Sequence, residues 1–341
     1  MNASQPEPSL RASERQRWAR VATGDPGLEL ASASSDAGFR SYWRGQAHGS
    51  SCIVMDSPPA LEDVRPWLRM QRLLETAGVR VPRVMASDEE AGFLLLEDLG
   101  ARTYLDLIHA DSADRLFDKA VEQLLLIQRI PVPAGLQAYD PAMLMRELRL
   151  FDEWFLERHL GVQLDAGEST QLQAAYERLI AAATDQPQVL VHRDFMPRNL
   201  MPANELAAVL DFQDAVRGPL AYDVLSLFKD AFHSWPQARV DRWLQRYRER
   251  AVDAGVPVPG AEQFGRDADW IGVQRHLKVL GIFARLHYRD HKPKYLADAP
   301  RFIAYLQAVL PRYPELAVLG DIISQHVHPA TASLSLPHPH T

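Results

Sequence analysis

The sequence predicts an α/β (α+β) chain in two lobes: a small N-terminal antiparallel sheet carrying one helix, then a larger, mainly helical C-terminal lobe. Three observations carry that expectation. Short apolar runs with strand periodicity crowd the first hundred residues around a single helical segment. Amphipathic helical patterns dominate after Asp98-Leu99-Gly100. Two short strands inside the helical part each end on a polar motif. At 341 residues the chain has ample material for two lobes, since domains run to roughly 100–200 residues. The expected division is 1–100, 101–325 and a flexible tail at 326–341.

A short helix at Ser13–Ala22 precedes the Gly24–Gly27 turn. The small residues Ser32–Gly38 read as a loop, leading into a strand at Phe39–Arg44 with Arg40, Tyr42 and Arg44 on one face. Ser51–Asp56 is a second strand, stopped by Pro58-Pro59. Glu62–Ala77 reads as a helix closed by Gly78, with strands at Val81–Ala86 and Phe93–Glu97 following. Two amphipathic helices come next, one marked by Leu116, Phe117, Ala120, Val121, Leu124 and Ile127, the other by Leu144, Leu148, Phe151 and Phe155. Strands at Gln188–Val191 and Ala207–Leu210 interrupt them, and helices resume at about 221–233, 238–254, 267–289 and 299–310. His326–Thr341, rich in Pro, Ser and His, lacks apolar periodicity.

Composition excludes several classes. The chain is 47% hydrophobic and 24% charged with a net charge of −7, which argues against nucleic acid as a partner, because phosphate contacts need clustered positive charge. No run of 18 apolar residues exists and the polar N-terminus is unlike a secretory signal, so no membrane association is expected. Cys52 stands alone, which excludes an internal disulfide and favours the cytoplasm. Of the 37 basic residues only five are Lys, the first at Lys119.

The chemistry sits where Val189-Leu190-Val191 runs into His192-Arg193-Asp194-Phe195-Met196-Pro197-Arg198-Asn199, an H-R-D-x-x-x-x-N pattern. Twelve residues after Asn199, a strand delivers Asp211-Phe212-Gln213 where kinases carry D-F-G. Phosphoryl transfer needs one carboxylate to accept the hydroxyl proton, and an amide oxygen with a second carboxylate to hold magnesium against the phosphates. A lone Asp or Asn in a loop is usually a turn former or a cap. Tripeptide, Asn, strand and second Asp together point to a catalytic set of Asp194, Asn199 and Asp211.

On these residues the chain resembles the aminoglycoside-phosphotransferase-like kinases, whose fold is protein-kinase-like. Within them it is most similar to the anomeric sugar kinases of cell-wall recycling. The likeness runs from Ser35-Asp36-Ala37-Gly38-Phe39-Arg40 to Leu296, through Leu95–Gly100, His192–Met201, Asp211–Pro219 and Arg285–Asp290. It implies an ATP-dependent enzyme that phosphorylates the anomeric hydroxyl of N-acetylmuramate and/or N-acetylglucosamine, with ATP and Mg2+ as cofactors. Asp194 would be the base, with Asn199 and Asp211 as metal ligands. Glu97, Asp98 and Leu99 would form the hinge meeting adenine. Ser35, Asp36, Gly38 and Phe39 would cover the phosphates, where small residues let backbone amides approach an anion. Asp223 would anchor the catalytic loop or cap the next helix.

One departure stands out. Kinases pair a third-strand Lys with the nucleotide phosphates, held by a helix Glu, but Ser51–Asp56 has no basic residue. Arg40, directly after the small-residue loop, is the substitute, with Arg44 second and Glu62 the acidic candidate; an arginine fork binds phosphate bidentately. The alternative is that both arginines lie on a solvated face. For the sugar, Asp214, Arg217, Glu147 and Arg289 are candidates, beside Asp152, Trp154, Arg285 and Asp290. Arg217 suits the lactyl carboxylate of N-acetylmuramate, and Arg289 with Asp290 fits equally a surface ion pair. Two rival functions remain: a kinase of aminoglycosides or another small alcohol, and a non-catalytic nucleotide-binding regulator.

Overall fold

The fold is that of a computed structural model, which describes residues 8–35 and 39–327. Its contacts divide the chain into two compact units. One holds the N-terminal residues to Leu126 together with Pro197–Asp214, the other Ile127–Met196 and the chain from Ala215 on. Residues 101–126 and 197–214 thus group with the N-terminal sheet, which a division at residue 100 does not foresee.

The first unit opens with helix α1 (Pro8–Thr23) and strands β1 (Leu30–Ser35), β2 (Ser41–Ala47) and β3 (Ser50–Asp56). Helix α2 (Arg65–Thr76) follows, then strands β4 (Val84–Asp88) and β5 (Phe93–Glu97). The five strands form one antiparallel sheet in the order β1-β2-β3-β5-β4. Strand period sorts the two faces. Cys52 and Val54 of β3 and Leu95 of β5 pack with Ala19 of α1, while Ile53 and Leu96 line a cavity. Trp67 of α2 meets Phe212 with ring centroids 5.0 Å apart, and Gly78 ends the helix turn at φ +84. The expected loop at Ser32–Gly38 is corrected in part: β1 pairs with β2 from Leu30 to Ser35. Small Ala and Ser residues suit an edge strand with little to bury, which hides it from periodicity.

Helix α1 is held by charge as well as packing. Asp56, buried at the end of β3, takes Arg11 at 2.7 Å and Arg15 at 2.9 Å. Both guanidiniums also lie over rings, Arg11 over Phe93 and Arg15 over Trp43.

Helix α3 (Ala113–Gln128) leads into α4 (Pro141–Leu150), which continues as a π-helical stretch, Phe151–His159. Then come α5 (Ala166–Asp185), β6 (Gln188–Val191), the hairpin of β7 (Leu200–Ala203) and β8 (Leu206–Val209), and β9 (Val216–Pro219), which pairs antiparallel with β6. Helices α6 (Ala221–Phe228), α7 (Gln237–Asp253), α8 (Ala261–Tyr288), α9 (Ala299–Val309) and α10 (Ala317–Ile322) complete the chain. Helix α5 escaped the sequence reading although its start is explicit: Asp165 and Glu168 form a reciprocal capping box. Helix α6 stops at Phe228 instead of 233, because the backbone of Lys229 leaves the helical region. The expected tail boundary at 326 is corrected for two residues, His326 and Val327. Residues 323–327 are helical and His326 pairs with Glu168 at 2.8 Å, whereas 328–341 lie outside the described residues.

Gly281 sets the seating of α8. A Cβ there would lie 2.2 Å from the carbonyl carbon of Leu150, so α8 and α4 touch backbone to side-chain-free backbone.

Removing Asp56 leaves two guanidiniums in a site that excludes water. Asp56→Ala is expected to lose about 3–5 kcal/mol of stability, the range for breaking a buried pair, seen as a lower urea midpoint at unchanged slope. A shift below 1 kcal/mol would show that the cluster behaves as a surface pair.

Candidate active site

In the first unit, the sheet and the β7–β8 hairpin enclose a cavity of about 370 Å3. Ile53, Leu96, Met201 and Leu210 give it apolar walls, and the chain from Glu97 to Ala101 borders it. Its polar end carries Asn199 and Asp211. Two backbone bonds fix that end: Val209 N–H donates to the Arg80 carbonyl at 2.8 Å and Leu210 N–H to the Asn199 carbonyl at 2.9 Å. Asn199 Nδ2 donates to Asp211 Oδ2 at 3.5 Å, and Gln213 Nε2 to Asp211 Oδ1 at 2.8 Å. Asp211 adopts φ +62, a conformation uncommon outside Gly that concentrates at functional sites.

The hinge candidates have busy side chains. Glu97 takes Arg80 at 2.6 Å and Arg83 at 3.2 Å. Burial alone would raise its pKa, yet the two arginines hold it below the usual carboxylate range. Asp98 accepts from Arg44 at 2.6 Å and from the Ser51 hydroxyl, and Arg44 reaches the Gly100 carbonyl at 2.7 Å. Burial opposes ionisation of Asp98 as well, and Arg44 and Ser51 overcome it. Arg44, the second candidate for a phosphate anchor, is thereby paired with Asp98 and Gly100.

Arg40 lies elsewhere. Buried at 8% exposure, it comes within 3.5 Å of Glu62 and 4.0 Å of Asp211. The solvated face expected as an alternative is excluded for it. Leu99 borders the cavity, Phe39 is exposed beside β2 and Ser35 ends β1, while Asp36 and Gly38 lie outside the described residues.

In the second unit, the loop after β6 carries Asp194. Asp223 on α6, fully buried, accepts from His192 N–H at 2.6 Å and Arg193 N–H at 3.0 Å. Burial pushes the Asp223 carboxyl up to about 6, against the pull of His192 and the two N–H groups. Of the two roles open to Asp223, it takes the loop anchor, and Arg193 is held at φ +74. The Arg193 side chain pairs with Glu147 at 2.8 Å, and so does Lys278. Glu147 further accepts from the Tyr139 hydroxyl and from Gln274 at 3.3 Å. Burial would raise the Glu147 pKa, but Lys278 and Arg193 keep it low. Glu147, expected among the sugar ligands, thus has Arg193, Lys278, Tyr139 and Gln274 as partners inside the protein. Arg289 forms an exposed pair with Asp290 at 2.8 Å. Arg217, exposed on β9, and Asp214, which accepts from Gln213 at 3.2 Å, complete the predicted set.

Sequence reasoning missed Gln213, Tyr139, Gln274 and Lys278. Two left a trace: Gln213 stands where kinases carry the Gly of D-F-G, and Lys278, one of five lysines, falls four residues after Gln274 on one helical stripe.

A small sheet over an apolar cavity that ends in Asn and Asp, with an anchored H-R-D loop in a helical unit, defines a phosphotransferase of protein-kinase-like fold. The sequence profile of the phosphotransferase enzyme family matches residues 29–264. The chain belongs to that family. It is 52% identical over 309 residues, 90% of each chain, to the N-acetylmuramate/N-acetylglucosamine kinase of Pseudomonas putida. A Neisseria meningitidis kinase of the same name is 41% identical over 92% of this chain and 95% of its own. Among solved structures, the Plasmodium vivax ethanolamine kinase superposes with TM-score 0.64 at 11% identity, over 92% of this chain and 93% of that one. The ADP-bound aminoglycoside phosphotransferase APH(2'')-Ib gives 0.58 at 14%, over 86% and 97%. Likeness at that identity establishes the fold. The protein is an ATP-dependent phosphotransferase.

Asp223→Ala orphans two buried N–H donors, each costing about 1–3 kcal/mol. It is expected to lower stability by about 2–4 kcal/mol and to abolish turnover, checked by denaturant melts and a coupled ADP assay. Full activity in a folded Asp223→Ala protein would remove the anchor role.

Proposed function

We propose that the chain transfers the γ-phosphoryl group of ATP to the anomeric hydroxyl of N-acetylmuramate and N-acetylglucosamine, in the cytoplasm, as part of cell-wall sugar recycling. The observation that carries this is the 52% identity, across 90% of both chains, to kinases named for these two sugars. The chemistry of the residues supports it. Asp194 orients the sugar hydroxyl and accepts its proton, in a loop whose backbone Asp223 holds. The apolar cavity walls take the adenine, with the Glu97–Leu99 backbone at its edge, and the loop of Ser35, Asp36, Gly38 and Phe39 covers the phosphates.

Asn199 and Asp211 would hold Mg2+. A carboxylate and an amide oxygen are hard donors that suit it, and the two side chains are neighbours, with Asn199 Nδ2 donating to Asp211 Oδ2. Among the described residues no group of three or more His, Cys, Asp or Glu is arranged for a metal. That fits an ion held by one carboxylate, an amide and substrate phosphates, where it neutralises developing charge. Arg40, buried between Glu62 and Asp211, takes the place of the missing lysine.

The charge around the acceptor loop disfavours a polycationic aminoglycoside. Arg193, Lys278 and Arg285 stand near Glu147, and Glu147 is already neutralised. No helix among the described residues is long and apolar enough to cross a membrane.

Magnesium-ATP with a panel of amino sugars and aminoglycosides, read by phosphorus NMR, is expected to give an anomeric phosphate only on the amino sugars. Phosphorylation of an aminoglycoside instead would overturn the proposal. Asp194→Ala is expected to keep the wild-type melting curve and lose turnover by about a thousandfold or more. Arg40→Ala is expected to raise the KM for ATP by about tenfold or more, the size of one charge-assisted contact; an unchanged KM removes Arg40 from the site.

A further inference from the structure

One stripe of helix α8 faces α4 and its π-helical continuation. Gln274 and Lys278 reach Glu147 at 3.3 and 2.8 Å. Gly281 abuts Leu150, and the Tyr288 hydroxyl meets His159 Nδ1 at 3.1 Å. These positions follow the i, i+4, i+7 spacing of a single helical face. Arg285 is the stripe residue between Gly281 and Tyr288.

Gln274, Lys278 and Tyr288 each reach a residue of the facing helix, Gln274 through its Nε2 alone; the Arg285 side chain reaches none. Its Nε is sealed from solvent without a hydrogen bond. Among the described residues the side chain makes no ion pair and donates to no other group. Two acids share its surroundings, Glu147 and Asp290. Glu147 is taken by Arg193 and Lys278, and Asp290 by Arg289 at 2.8 Å. Burial, then the neighbouring Arg289, lower the guanidinium's pKa, as expected of a cation kept from water without a carboxylate. The residue is only half-buried and its terminal nitrogens are not sealed, so a ligand can approach the open side of the fork. A guanidinium so placed suits a carboxylate, which it binds through two parallel N–H bonds.

The two sugars of the proposed function share ring, N-acetyl group and anomeric hydroxyl. They differ in the 3-O-lactyl ether, whose carboxylate is the one charge on N-acetylmuramate. We infer that Arg285 binds this lactyl carboxylate and sets the enzyme's preference between the two substrates, an assignment that rests on the amino-sugar reading above. Arg285 is thus a specificity residue: the phosphoryl chemistry is common to both sugars, while the guanidinium adds a contact that only one of them can complete. It takes over the role that sequence position had suggested for Arg217.

The test compares kcat/KM for N-acetylmuramate, its lactyl methyl ester and N-acetylglucosamine in wild type, Arg285→Gln, Arg285→Lys and Arg217→Gln. In Arg285→Gln the N-acetylmuramate to N-acetylglucosamine ratio is expected to fall by about tenfold or more, the magnitude of a charge-assisted hydrogen bond. Arg285→Lys should recover part of it, and the variant should no longer distinguish acid from ester. An unchanged ratio overturns the assignment, as does a larger fall in Arg217→Gln. Wild type treating acid and ester alike also overturns it, and that arm is independent of how the variants fold. A wild-type enzyme that phosphorylates neither sugar would sink the proposed function itself, an outcome distinct from all of these.

Discussion

One carboxylate governs the shape of the acceptor loop. Asp223 is fully buried and receives two consecutive backbone N–H groups, those of His192 and Arg193. A strand leaving the sheet does not turn this way unaided, since Arg193 sits at φ +74, where a non-glycine residue is strained. Two buried hydrogen bonds to one acid offset that strain. Glu147 then completes the arrangement from the opposite side chain, binding the Arg193 guanidinium and drawing in Lys278. The loop is thus held in place by buried acids of its own unit, and such preorganisation lowers the reorganisation cost of a reaction.

The nucleotide half solves a different problem. Strand β3 has no basic residue, and Arg40, just ahead of the neighbouring strand β2, lies beside Glu62 and Asp211. Arg44, four residues on in β2, pairs instead with Asp98. Two arginines four residues apart thus take separate tasks, and the burial of the first against the half-exposure of the second distinguishes them.

The sequence made the chemistry legible wherever spacing alone constrains geometry. The H-R-D-x-x-x-x-N run and the later Asp211 stand out because their spacing is visible in the sequence itself, and β3 and β5 because short apolar runs mark them. Side-chain partnerships across distant segments were not readable. Glu147 looked like a sugar ligand because a carboxylate on an aromatic helix carries no mark of what it faces. Its partners Arg193 and Lys278 lie 46 and 131 residues away in the chain. Strand β1 was lost in a run of Ser and Ala, and β9 is too short, with Gly218-Pro219 at its end, to declare itself. Helix α5 carried a readable capping box and was passed over.

The scarcity of lysine has a practical corollary in labelling chemistry. Reagents that tag nucleotide-binding proteins work by acylating an amine beside the bound phosphates, and the residues lining this cavity offer none. A guanidinium stays protonated and is a poor nucleophile under the same conditions. An amine-directed reagent would therefore find no target among the residues that line this cavity.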